Sequence, residues 1–96
     1  MKPENSFHIK DALQKYLQEE KIDQQFNEKK LISMWKEIMG SPIANRTSGI
    51  FIKNKVMFVK LTSAPLKQEL THARQKVLNL MEEKMGSKIV EEVRFL

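Results

Sequence analysis

The feature that most constrains the fold is a change of hydrophobic period at Ser63. Across Val56–Thr62 the residues alternate, so that Met57, Val59 and Leu61 share one face and Phe58, Lys60 and Thr62 the other. That is the period of a strand with one buried face. Beyond Ser63 the apolar residues Leu66, Leu70, Ala73, Val77, Leu80 and Met81 recur at helical spacing. Ser63 can cap this helix with its hydroxyl, and Pro65 falls in the first turn, where a missing N–H costs nothing. One long helix is expected, ending at Gly86, with Lys67, Arg74 and Lys76 on its other faces. The closing KIVEEVRFL reads as a strand with Val93 and Phe95 on one face. A strand–helix–strand crossover makes the last strand parallel to the second when both share a sheet.

Upstream, Ile50–Lys53 reads as a first strand, joined to the second through Asn54-Lys55. Asn accepts positive φ readily. Lys suits the next turn position less well than Gly, so a turn longer than two residues also fits. A helix is expected over 27–39, with Leu31, Met34, Trp35 and Ile38 as its stripe and Ile32 and Met39 beside it. Gly40 suits the left-handed residue past a helix end, and Pro42 argues against continuation. Trp35, the sole tryptophan, lies on that stripe, which points to core packing rather than to a base-stacking platform. An earlier helix, capped by Asn5 or Ser6, carries Ile9, Ala12, Leu13, Tyr16 and Leu17 on one face. Its polar connection QEEKIDQQF would tuck Ile22 and Phe26 against the core. The expected architecture is an α+β two-layer sandwich of order α-α-β-β-α-β. It has a three-stranded mixed sheet with helices on one face, and forms one domain over 1–96. Residues 1–26 supply the N-terminal helix and connection, and 27–96 the core.

Charge narrows the function. Residues 1–30 hold six lysines and six acids, whereas residues 31–80 hold eight basic residues against Glu37 and Glu69. The net charge of +5 therefore arises in the middle of the chain, the pattern a phosphate-backbone footprint leaves, although a merely solvated surface fits as well. There is no cysteine, which excludes disulfides and thiolate metal sites and fits a reducing, cytoplasmic setting. No apolar run approaches membrane-spanning length, and the first residues lack the apolar stretch of a secretory signal. His8 and His72 have no carboxylate at metal-ligand spacing, and Gly40, Gly49 and Gly86 are isolated rather than grouped in a phosphate loop. Glu82-Glu83 and Glu91-Glu92 read as solvated pairs. Glu69 is expected to bond back to the cap region or to a strand lysine. No catalytic residues, metal or cofactor are expected, and the chain does not read as an enzyme.

One series of residues is distinctive as a set. It runs Trp35-x-x-Ile38-Met39-Gly40, Ile43-Ala44, Thr47, Gly49, then Met57-x-Val59-x-Leu61-x-Ser63-x-x-Leu66-x-x-Glu69-Leu70, and ends with Gly86 and Val93-Arg94-Phe95. In order and spacing it resembles the DciA-like family over about residues 27–96, with Trp35, Gly40, Ser63, Glu69 and Leu70 as signature positions. The resemblance implies a KH-like domain, a replicative DnaB-type helicase as partner, a part in loading that helicase, and DNA binding mainly to the phosphate backbone. Leu66 stands where many members have a second tryptophan. Members commonly add a basic extension that contributes to helicase and DNA binding, so a domain ending at Leu96 would carry part of that role. The G-x-x-G loop by which ordinary KH modules clamp a strand is missing.

Three functional readings follow. In the first, Arg46, Lys53, Lys55, Lys60, Lys67 and Arg74 supply phosphate contacts for a DNA-associated helicase adaptor. In the second, Phe51 and Phe58 on an open sheet face, or Leu78 on the last helix, contact a protein partner and nucleic acid is not bound. In the third, the same basic surface binds RNA. Two free sheet edges would also allow weak pairing with a second copy.

Overall fold

The structure, a computed structural model, describes residues 12, 13, 15 and 22–96. It is built of helix α1 (22–33), α2 (Trp35–Met39), α3 (Ser41–Ala44), strands β1 (Thr47–Lys53) and β2 (Val56–Leu61), helices α4 (Ala64–His72) and α5 (Arg74–Met85), and strand β3 (Glu92–Phe95). The sheet order is β1-β2-β3, with β1 antiparallel and β3 parallel to the central β2. The expected α+β class and mixed three-stranded sheet are therefore found, and α4 and α5 form the connection between the two parallel strands.

The alternation in β2 decides which face is core. Met57 and Val59 are fully buried, and the register pairs them with Ile52 and Ile50 on one side and Val93 and Phe95 on the other. Against this face lie Leu31, Trp35 and Ile38 from α1–α2 and Leu70, Val77 and Met81 from α4–α5, with Ile89 and Val90 from the segment before β3. No polar or charged residue is buried among the described residues. The hairpin turn is the two-residue type: Asn54 and Lys55 both take positive φ, 52° and 62°, and Lys53 pairs directly with Val56. Those dihedrals match the right-handed twist of the flanking strands, and the lysine accepts the left-handed region to preserve it.

Both long helices are interrupted. The Met34 N–H is shared between the carbonyls of Lys30 (3.0 Å) and Leu31 (3.2 Å), and the Ala73 N–H between Glu69 and Leu70 (3.1 Å each). A hydroxyl bonds back to the helix beside each break: Ser33 Oγ donates to the Lys30 carbonyl at 2.7 Å, and Thr71 Oγ1 to the Lys67 carbonyl at 2.7 Å. Such back-bonding competes with the helical ladder and bends it. The single helix expected from Ser63 to Gly86 is consequently two. Leu80, expected on its buried stripe, is exposed, because Val77 and Met81 take the inward positions. The helix expected to begin at 27 is already formed at 22, and Ile22 and Phe26 lie on its outer side, 63% and 66% exposed, rather than against the core. The helix does end at Met39 as expected, and Pro42 sits in the first turn of a separate short helix, α3, where a proline loses no hydrogen bond. The expected Asn5 or Ser6 cap lies outside the described residues; of that first helix's stripe, Leu13 is exposed.

Trp35 is 3% exposed, and its indole is held at both ends of the fold. Its Nε1–H donates to Thr47 Oγ1 at 3.0 Å, and Thr47 in turn donates to the Ile43 carbonyl at 2.8 Å. A β-bulge makes this relay. The register steps from Thr47↔Leu61 to Gly49↔Lys60, leaving Ser48 as the extra residue. Without it Thr47 would share a face with Gly49 and point away from the core; the bulge turns it inward. Ser63 caps α4, accepting from the Leu66 N–H at 3.3 Å, and Gly86 ends α5 in the left-handed conformation, φ 77°.

Two stability outcomes are expected. Thr47→Val strands the indole donor and should cost about 1–3 kcal/mol in denaturant unfolding, while Thr47→Ser keeps most of the stability. Equal loss for Val and Ser would show that the hydroxyl is not the stabilising group. Ser63→Ala should cost roughly 1 kcal/mol in the same measurement.

Candidate nucleic-acid interface

The face of the sheet opposite the core follows from the same register. Three rows cross it: Gly49 beside Lys60; Phe51, Phe58 and Arg94; and Lys53, Val56 and Glu92. The ladder continues past β3, with Leu96 N–H donating to the Val59 carbonyl at 2.8 Å and its own carbonyl accepting from Leu61 at 3.1 Å, so Leu96 closes the row of Lys60. The rings of Phe51 and Phe58 are stacked, with centroids 4.8 Å apart and planes inclined by 14°. Phe51 is 45% exposed, a large apolar group left in water on a strand whose neighbouring isoleucines turn inward. Phe58 is half-buried beneath it, and Lys53, Lys60 and Arg94 are exposed around the pair. A Cβ added at Gly49 would meet only the Lys60 stem, at 3.9 Å, so the lysine chain lies beside the glycine.

Electrostatically the face is cationic. Arg94 Nε donates to Glu92 Oε1 at 3.0 Å, an exposed pair of the kind worth little in water. It is the one ion pair among the described residues, so Lys53, Lys55, Lys60, Arg46, Lys67 and Arg74 have no acidic partner there. The six cations singled out from the sequence occupy distinct places. Lys53 and Lys60 share the open sheet face, and Lys55 projects from the hairpin tip. Arg46 lies at the start of β1, where its carbonyl accepts from Thr62 N–H at 2.8 Å and its guanidinium donates to the Pro42 carbonyl at 3.0 Å. Lys67 and Arg74 are on α4 and α5, in the helical layer. Arg74 borders a groove with Thr71, His72, Leu78, Glu91 and Glu92.

Phe51 and Phe58 thus stand together on the sheet, while Leu78 is half-buried and packs on the core from α5. Glu69 is exposed, and among the described residues its carboxylate bonds to neither the cap nor a strand lysine, because it projects from the outer side of α4. Arg94 lies outside the six cations that the charge pattern singles out. Its signal was available: it stands between Val93 and Phe95 on a strand, so it must face away from the core. No group of three or more His, Asp or Glu able to hold a metal occurs among the described residues, and no described helix is long and apolar enough to cross a membrane.

A protein of Corynebacterium glutamicum (strain R) described as "UPF0232 protein" is 32% identical over 62 residues, an alignment covering 65% of this chain and 35% of that protein. The chain therefore spans about a third of that relative's length. The model of the family described as "Dna[CI] antecedent, DciA" matches residues 8–95, which takes in the buried Trp35, the bulged first strand and the whole sheet. The chain belongs to the DciA family.

Proposed function

We propose that this protein is a non-enzymatic, DNA-associated adaptor that binds the replicative DnaB-type helicase and assists its loading. The observation that carries the reading is the family match over 8–95, and the cations of the middle segment, none of them ion-paired among the described residues, support its DNA-binding part. Arg46, Lys53, Lys55, Lys60, Lys67 and Arg74 act through charge on phosphates. Because they lie on more than one face, a single duplex engages a subset, with the hairpin and open sheet forming one group and the helical layer another. The same reading takes the sandwich as KH-like, supported by the parallel pairing of β2 with β3. With no G-x-x-G loop, any contact with a strand uses other residues.

An anisotropy titration over a salt series tests the DNA part. Three or four simultaneous phosphate contacts give log affinity against log salt a slope of roughly −2.7 to −3.6. A slope near zero, or no binding at low salt, removes it. Capture of the helicase before and after nuclease treatment tests the adaptor part. Equal capture in both, with no DNA binding, would instead favour an interaction module whose contact is the exposed Phe51 and its partner Phe58.

A further inference from the structure

The open sheet face combines two features that separately would mean little: a stacked aromatic pair and a surround of exposed cations, of which Arg94 is paired with Glu92. An exposed Phe alone is ordinary, and so is an exposed lysine. Here the register fixes them in one patch, with Phe51, Phe58 and Arg94 in line across all three strands and Lys53 and Lys60 in the rows on either side. Resting on the DNA-adaptor reading above, we propose that this face is a stacking platform for unpaired bases of single-stranded DNA. Phe51 receives a base on its free ring face, and Lys53, Lys60 and Arg94 hold the flanking phosphates.

The geometry selects this ligand in four ways. The two rings already stack at 4.8 Å, so a base laid against the exposed side of Phe51 extends an existing column, and pre-stacking keeps the ring from having to be ordered on binding. The bases of an intact duplex offer their flat faces only to one another, so the platform is usable by unpaired nucleotides and not by paired ones. The side chains of the rows, Phe51, Lys53, Val56, Phe58, Lys60, Glu92 and Arg94, include no hydroxyl or carboxamide. Stacking on Phe51 and charge attraction to phosphate do not depend on base identity, so binding is tolerant of sequence. Finally, three cations against one carboxylate give the patch the sign that a phosphodiester chain requires, whereas an acidic peptide would leave the Phe51 ring without a planar partner.

The test uses the full 96-residue chain and fluorescein-labelled oligothymidylate, with a duplex and an RNA of matched length as the other arms. Phe51→Leu keeps apolar bulk but removes the ring. It should weaken single-strand binding by roughly ten-fold or more, in the range for loss of one stacked base, and leave duplex affinity within about two-fold. Phe51→Trp should restore or exceed the original single-strand affinity, which a merely structural role would not predict. Because Phe51 is 45% exposed, the melting temperature of each variant serves as a check that the fold persists. Lys60→Gln should lower affinity and flatten the salt slope by a little under one. The platform is overturned if Phe51→Leu binds oligothymidylate as tightly as the original while the salt slope remains; the DNA-adaptor reading then still stands. It is also overturned by tighter binding of RNA, or by Phe51→Leu losing helicase capture with DNA affinity intact, which assigns the face to a protein. Absence of binding to every oligonucleotide at low salt removes both the platform and the DNA part of the adaptor reading.

Discussion

The indole of Trp35 ties together three consecutive elements of the fold. Its ring fills the core between the helices and the sheet, and its N–H is committed to Thr47, which is committed in turn to the Ile43 carbonyl. One chain of two hydrogen bonds thereby ties α2 to β1 and β1 back to α3. A buried indole donor without a partner would cost more than its neutral contacts return, so the relay fixes where β1 must begin. That start requires the bulge at Ser48, which turns Thr47 inward while Gly49, Phe51 and Lys53 keep the outward side that their pairing with β2 gives them.

From this follows a division of labour across the sheet. On one side Met57, Val59, Val93 and Phe95 carry the packing, with no charged group buried among the described residues. On the other the same strands present Phe58, Lys60 and Arg94, each adjacent in sequence to a core residue and opposite to it in space. A strand that packs well on one face is free to vary its chemistry on the other. The cations then cost no desolvation, and their charge remains available to a phosphate partner.

How far the sequence discloses this depends on the range of the forces involved. The alternation of β2, the Ser63 cap, the Gly86 end and the parallel last strand are local or follow from topology, and each is readable. The helix breaks at Met34 and Ala73 are not, because neither Gly nor Pro marks them; the signal is a hydroxyl, Ser33 or Thr71, that could as well have pointed to solvent. Ile22 and Phe26 mislead for a related reason: apolar character alone does not say which side of a helix the core will take, and here the core takes Leu31 and Trp35. The cations were legible as a list but not as a surface. Only the register separates Lys53 and Lys60 from Lys67 and Arg74, and the same register adds Arg94, which total charge could not single out.

With a single tryptophan in the chain, its emission reports on the central division between scaffold and working face. The decisive measurement is intrinsic fluorescence with acrylamide quenching, taken with and without saturating single-stranded DNA. A shielded, blue-shifted indole whose spectrum and quenching stay the same when DNA is added is the predicted result. An indole open to acrylamide, or one whose emission collapses as bases stack upon it, would place Trp35 in the binding surface and contradict the account.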